Sequence, residues 1–343
     1  MKTTKVIQSN FLRILTYHRV ANLTDTPWLH PGLISATPAQ FAVQMKFLRE
    51  HYHAVAMEQA LAAVQNNEPL PPRAVLITFD DGYRDFATNA WPVLKSFGLP
   101  VTLFVPTAYP DQPQRRFWWD KLHVAFLSSR ASNPPVSPLK KGGTNDSFLL
   151  ENGGTPIFSP LDKGGLEGGS LKQIQSRVKT LPHEQVMALV DELFEQAAQK
   201  PNGPPPVLNW DELRRLAREG VTLGAHTQTH SILTRVSLEA ARQEIVGSQA
   251  DLQREIGGVL PIFSYPDGGH NDAVVEILKR EGFVLGFNGP TGVNDLRLCD
   301  PFRLRRINIT PKSTPFIFQL RLTRWFGEVE KMRLRKRIRE ITY

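Results

Sequence analysis

Two short clusters in this chain carry side chains that could share one reaction. The first is Thr78-Phe79-Asp80-Asp81-Gly82-Tyr83. Adjacent carboxylates raise each other's pKa, and a divalent cation relieves that repulsion. Successive side chains of an extended segment point to opposite sides, so Asp80 and Asp81 are expected to be aimed differently. One can bind a cation while the other faces a substrate or water. Alone, Asp-Asp-Gly reads first as a solvated turn that caps a helix. The second cluster is His226-Thr227-Gln228-Thr229-His230. Its spacing places both imidazoles on one face of a helical turn, where both can reach one ion. Alone, it reads equally as two polar histidines on a surface turn. Together the clusters supply two imidazoles and a carboxylate, an N/O set suited to zinc with a position left for water. A third segment, Phe263-Ser264-Tyr265-Pro266-Asp267-Gly268-Gly269, is a turn sequence that can aim backbone N–H groups at a ligand and stabilise an oxyanion.

These clusters need elements to bring them together. Phe11 to Tyr17, Val75 to Phe79, Val101 to Val105, Val221 to Ala225, Ile262 to Tyr265, Phe283 to Phe287 and Leu304 to Ile309 read as short, mostly apolar strands. Between them lie helical patterns. Thr37-Pro38 opens one of them, with Phe41, Met45 and Leu48 on one face. Others span Trp210 to Glu219, stopped by Gly220, then Ser237 to Ile256 and Asp272 to Arg280. Repeated βα units predict an α/β fold with a parallel sheet under helical cover. Periodicity alone leaves a closed barrel and an open sheet equally open. The chemical clusters fall just past predicted strands, where α/β barrels build their sites.

Bulk properties narrow the function. The 343 residues suit one α/β barrel, and 41% hydrophobic residues allow a sizeable core. The single cysteine, Cys299, excludes an internal disulfide and a cysteine-based zinc site, and reads as a semi-buried thiol. From Arg321 to Tyr343 there are eight Lys/Arg and three Glu, so five of the eight net positive charges sit in the tail. The remainder is nearly balanced, which argues against a nucleic-acid partner. No apolar run is long enough to span a membrane, and Met1 to Asn10 does not open a secretory signal. A cytoplasmic location is the default expectation. Residues 128–169 are rich in Gly, Pro, Ser and Lys and hold a near-duplicate, Ser137 to Gly143 and Ser159 to Gly165. This reads as a disordered low-complexity insertion, not a phosphate loop, because no Gly-Gly pair has the required strand–helix context.

The ordered set of motifs resembles the polysaccharide deacetylases, carbohydrate esterase family four. Thr78 to Gly82 is similar to the family's first motif, His226 to His230 to its second, and Phe263 to Gly268 to its third. Leu15-Thr16-Tyr17-His18-Arg19-Val20 resembles the first-strand signature of the branch that includes poly-N-acetylglucosamine deacetylases. Trp210 to Leu213 and Phe302 to Ile307 also look familial, so the resemblance covers about residues 11–310. It implies a distorted (β/α) barrel over residues 10–310 and removal of N-acetyl groups from an amino-sugar polymer or glycan. Asp81, His226 and His230 would hold a divalent metal, zinc by preference. Asp80 would be the general base, and the backbone N–H of Asp267 would help hold the oxyanion. Tyr265 and Pro266 would be substrate or orienting residues.

The sequence departs from the family at the general acid. The late strand reads Arg305-Arg306-Ile307-Asn308-Ile309, without the L-x-H histidine, and the arginine that often precedes the third-motif proline is missing. His18 is the first candidate for the acid and His270 a weaker one, and Asp80 could return the proton itself. Arg306 is a candidate to orient a carboxylate. The missing histidine also keeps two other readings open, a deacylase on a non-sugar amide and a non-catalytic carbohydrate-binding relative. Phe117-Trp118-Trp119-Asp120 reads as core before sugar subsite. Phe318, Leu322, Trp325, Phe326 and Val329 form one helical stripe in a tail, residues 311–343, that turns basic from Lys331 to Arg339. That tail reads as a helix packed on the barrel, with peripheral contact to the inner membrane face as the alternative. The sequence leaves the oligomeric state open.

Overall fold

Short apolar strands and the helices between them assemble a ring of parallel strands. The computed structural model describes residues 10–132, 171, 174–175, 178, 181–197, 201 and 203–326. The chain divides into two compact units, residues 1–117 with 202–343, and residues 118–201. The first unit holds β1 (Phe11–Tyr17), β2 (Ala74–Phe79), β3 (Thr102–Val105), β4 (Thr222–Ala225), β5 (Ile262–Ser264), β6 (Leu285–Phe287) and β7 (Ile307–Asn308). Each strand from β1 to β6 pairs in parallel with the next. Leu304 then forms a parallel bridge with Phe287, and Ile307 pairs in parallel with Leu15 of β1. The segment 304–308 thus joins the two edges, and the choice between barrel and open sheet falls to a barrel. The late strand is less regular than expected over Leu304 to Ile309, with continuous pairing at Ile307–Asn308.

Alternation along the strands separates two cores. Leu15, Tyr17, Val75, Ile77, Phe79, Leu103 and Phe263 face outward into one apolar cluster with helix residues such as Phe41, Met45, Leu48 and Ile245. The helix Pro38–His51 starts on Thr37, whose hydroxyl accepts from Gln40 N while the Gln40 side chain returns a bond to Thr37 N. Leu12, Ile14, Leu76, Phe104, Ile262 and Leu285 alternate with the first set and form a second cluster inside the ring. Further along the inward register of the other strands the residues become polar: Thr16 and Thr78, then Asp80, His226, Ser264 and Arg306, all buried. An apolar plug therefore fills the ring toward the strand N-termini, and a polar floor lies over it at the C-terminal ends.

The described helices of the second unit are Trp118–Ser132 and His183–Glu195, tied by Lys121 Nζ to Asp191 Oδ1 at 2.5 Å. The aromatic cluster from Phe117 to Asp120 is buried, as the core reading expects. Cys299 is half-buried, and burial pushes its thiol up to about 11. In the C-terminal stripe Phe318 and Leu322 are buried, whereas Trp325 is 81% exposed. Val329, the basic run Lys331 to Arg339, and residues 133–169 of the expected insertion lie outside the described residues. None of the described helices is long and apolar enough to cross a membrane.

Candidate metal centre

The chain leaves β2 at Phe79 and turns sharply. Asp80 N–H still donates to Tyr17 O of β1 at 3.0 Å, but Asp81 and Gly82 both take left-handed backbone, with φ of 75° and 67°. The reversal sends the two carboxylates to different partners, as the alternation argument expects. A positive φ is costly for a residue with a Cβ and marks a constrained site. Of the six non-glycine residues with positive φ among the described residues, four are Asp81, Thr227, His230 and Asp267. All four lie in the three chemical motifs.

Asp81 meets both imidazoles. Its Oδ1 lies 3.5 Å from His226 Nε2 and 3.3 Å from His230 Nε2. One ligand atom from each of the three residues falls within 4.8 Å of the others. All three side chains are buried, and Asp81 Oδ1 makes no hydrogen bond of normal geometry. His226 Nδ1 lies 2.7 Å from Ser264 O. A carbonyl only accepts, so that nitrogen carries the hydrogen and Nε2 is left with its lone pair toward Asp81. A buried, unsatisfied carboxylate oxygen and imidazole nitrogens converging on it are the donor set of a cation site. Burial would raise the Asp81 pKa, yet the facing imidazoles of His226 and His230 hold its carboxyl far below the usual range. For His226 burial opposes the charged ring, but Asp81 and Asp80 outweigh it and raise the pKa.

The histidine loop does not form the helical turn expected from its spacing. Residues 226–230 are irregular, with Thr227 and His230 at φ of 63° and 60°. The two imidazoles converge because the backbone twice visits the left-handed region, not because they are one helical turn apart. Phe117 meets the His230 ring edge-on at 5.6 Å, and Tyr109 stacks on Phe117 at 4.2 Å. Phe117, left to the core by the sequence, thus packs directly on an imidazole of the site.

Asp80 has a separate partner. Arg306 Nη1 and Nη2 donate to Asp80 Oδ1 and Oδ2, both at 2.8 Å, and Arg306 Nε donates to Asn288 O at 3.2 Å. Ser264 Oγ lies 3.5 Å from Asp80 Oδ2. A bidentate guanidinium fixes both the charge and the plane of a carboxylate. Burial works to raise the Asp80 pKa, but the charges of Arg306, His226 and His18 prevail and lower it. His18 is half-buried just past β1, and its charge lowers the pKa of Asp81 as well as of Asp80.

The third motif forms a tight turn over Pro266–Gly268, with Asp267 and Gly268 at φ of 54° and 70°. Tyr265 stands under it, fully buried, and donates its hydroxyl to Phe302 O at 2.9 Å. From there it supports the turn. Pro266 is buried at the start of the turn. His270 stacks on the Tyr265 ring at 5.0 Å and places Nδ1 2.9 Å from Gly268 O, so it braces the same turn.

A buried ion pair ties the residues just past β1 to those just past the aspartate motif. Arg19 is fully buried, its Nε donates to Asp85 Oδ2 at 2.8 Å, and its guanidinium lies 5.3 Å from the Tyr83 ring centre. Removing one partner leaves the other charged and uncompensated, so Arg19→Met should cost about 3–5 kcal/mol. Urea unfolding would measure this, and Arg19→Met with Asp85→Asn should recover part of the loss. Equal losses in the single and double variants would show that the pair itself matters little.

The chain thus forms a closed parallel barrel with a carboxylate and two imidazoles at its C-terminal end. The sequence model of the polysaccharide deacetylase family matches residues 67–123 and 180–286. A poly-beta-1,6-N-acetyl-D-glucosamine N-deacetylase of Escherichia coli K12 is 30% identical over 131 residues, 33% of this chain and 20% of the relative. The enzyme of that name from Staphylococcus aureus MSSA476 is 31% identical over 75 residues, 22% of this chain and 26% of the relative. The matched stretch thus spans only a fifth to a quarter of these relatives. Among solved structures, a Streptococcus pyogenes deacetylase in complex with acetate superposes with a TM-score of 0.60 at 18% identity, covering 91% of this chain and 98% of that one. A de-N-acetylase from Aggregatibacter actinomycetemcomitans gives 0.57 at 16% identity, covering 91% and 99%. At these identities the likeness is one of fold.

Proposed function

We propose that this protein removes N-acetyl groups from an N-acetylated amino-sugar polymer, with a divalent cation, zinc by preference, held by Asp81, His226 and His230. The observation that carries the reading is the division of labour between adjacent aspartates. Asp81 faces two imidazoles, while Asp80 is clamped by Arg306. When bound, such a cation supplies Lewis-acid polarisation of a carbonyl and activates water near neutral pH. The protein's own part follows from the geometry. Asp80, ionised and fixed in plane, takes the proton from the attacking water. Arg306 keeps Asp80 ionised and oriented. The backbone N–H of Asp267 helps hold the oxyanion. His18 donates the proton to the amide nitrogen as its bond to the acetyl carbon breaks, so that acetate is released and the free amine stays on the sugar. His270 braces the turn instead of serving as the acid.

The named relatives favour a poly-N-acetylglucosamine substrate within that class. Metal analysis of the purified protein, alongside acetate release from N-acetylglucosamine oligomers and other N-acetylated glycans, tests the reading. Bound metal with acetate release supports it. Metal with turnover of non-sugar amides alone would move the activity to a different substrate class. Sugar binding without turnover would make the chain a binding relative. His18→Gln should lower kcat about 10²-fold with metal content unchanged, and full activity would remove His18 as the acid. The exposed Phe316 and Trp325, with the basic residues beyond them, support peripheral contact with an anionic membrane. Co-sedimentation with vesicles containing anionic lipid, but not with neutral ones, would bear that out.

A further inference from the structure

We infer that one face of the helix Leu238–Ile256, made by Glu244, Gly247 and Asp251, shapes the loop that carries His226 and His230 and thereby sets metal affinity. The inference rests on the metal reading above. Left-handed backbone at Thr227 and His230 is unfavourable for residues that carry a Cβ, so the loop needs outside contacts to keep it. Glu244 supplies most of them. Its Oε2 accepts the backbone N–H groups of Gln228 and Thr229, at 2.8 and 2.9 Å. Its Oε1 accepts the Thr229 hydroxyl and, at 3.3 Å, the Ser231 hydroxyl. One carboxylate therefore gathers donors from the residues between the two imidazoles and from the residue just after them.

Two further positions on the same face complete the contact. Residues 244, 247 and 251 are spaced i, i+3, i+7, which puts them on one side of a helix. Asp251 Oδ2 accepts from Gln228 Nε2 at 2.9 Å and from Thr107 Oγ1 at 2.7 Å. Gly247 leaves room for the Gln228 side chain, since a Cβ there would lie 2.4 Å from it. Glycine inside a helix weakens the helix, and the approach of Gln228 accounts for it here. On the loop's other side Thr107 N–H and Ala108 N–H donate to Thr227 O and Gln228 O, at 3.1 and 2.9 Å. Those bonds are main chain to main chain. The helix side is held by side chains and can be changed by mutation.

Groups that orient metal ligands typically alter affinity about 10–100-fold when replaced. Glu244 and its neighbours are positioning residues, because they reach the cation only through the loop. Zinc affinity of the full chain, measured by competition with a chromophoric chelator on folded protein, is the direct test. Circular dichroism would confirm that each variant is folded. In Glu244→Gln one acceptor oxygen becomes an amide that faces donors, and the zinc Kd should rise about 10–100-fold. Gly247→Ala separates a role in the loop from a role in the helix. Alanine favours the helix, so a purely structural role predicts equal or higher thermal stability and an unchanged zinc Kd. The inference predicts weaker zinc binding, removed when Gln228→Ala is added. If folded Glu244→Gln and Gly247→Ala both bind zinc as the wild type does, the inference is wrong. If the wild type itself binds no zinc, the metal reading fails instead.

Discussion

Asp80→Asn should lower kcat by about 10²–10⁴-fold, the usual contribution of a general base, while leaving bound metal in place. His226→Ala should lose both. The contrast follows from the placement of the two aspartate partners. Asp80 touches Arg306 and Ser264, and an amide of the same shape can stay there without disturbing Asp81. His226 offers Nε2 toward Asp81 and is oriented through Ser264 O, so its removal opens the three-residue set. The difference has a second readout in stability. A cation that binds the folded chain alone raises its stability by about 2.7 kcal/mol when present at 100 times its Kd. Thermal melts with added zinc should therefore shift upward for the wild type and Asp80→Asn, and stay in place for His226→Ala. Loss of metal from Asp80→Asn would make Asp80 a ligand and remove it as the base. Turnover near the wild-type rate in that variant would end the assignment outright.

Much of this site could be read in the sequence because it depends on short-range rules. The β1 segment follows from its apolar run, and Thr37-Pro38 announces a helix through capping chemistry that involves only neighbouring residues. Asp80 and Asp81 diverge because backbone alternation and one turn separate them. The histidine loop shows the limit. Its candidate ligands were legible by type and order, but its conformation was not, since left-handed φ at threonine and histidine goes against local preference. Such a conformation is imposed by contacts 13 to 16 residues away, from Glu244. Read by itself, Glu244-x-x-Gly247-x-x-x-Asp251 is an ordinary polar face with one weak residue. It acquires meaning only when the loop it faces is known. Tyr265 illustrates the same gap, since a motif places it beside the turn but only packing shows that its hydroxyl is committed to Phe302 O. Barrel closure was out of reach for periodicity because it rests on the single bridge between Phe287 and Leu304 and on the pairing of Ile307 with Leu15.

Arg306→Met should leave Asp80 as a buried carboxylate without its guanidinium, with consequences for both stability and rate. In the wild type burial alone would raise the Asp80 pKa, and Arg306 is the main group opposing it. The folded pKa is therefore depressed. That carboxylate contributes stability above its unfolded pKa, and the contribution is lost as pH falls through the folded value. Without Arg306 the burial effect prevails and the folded pKa lies above the unfolded one. The ionised group then costs stability at neutral pH, and the cost fades as acid protonates it. Breaking a buried pair of this kind costs about 3–5 kcal/mol at neutral pH. Urea unfolding of metal-free protein should show that deficit at pH 7 and a smaller one near pH 4, the ordinary carboxylate range. Arg306→Met combined with Asp80→Asn should regain part of it at pH 7, since no charge is then stranded. The rate should move with the same group. Because a base works only when ionised and aligned, turnover at neutral pH should fall about 10²-fold and partly recover as pH is raised. The acidic limb of the pH–rate profile should accordingly shift upward. A profile that keeps its wild-type midpoint would mean that Arg306 supports the barrel wall without tuning Asp80, and that another group keeps the base ionised.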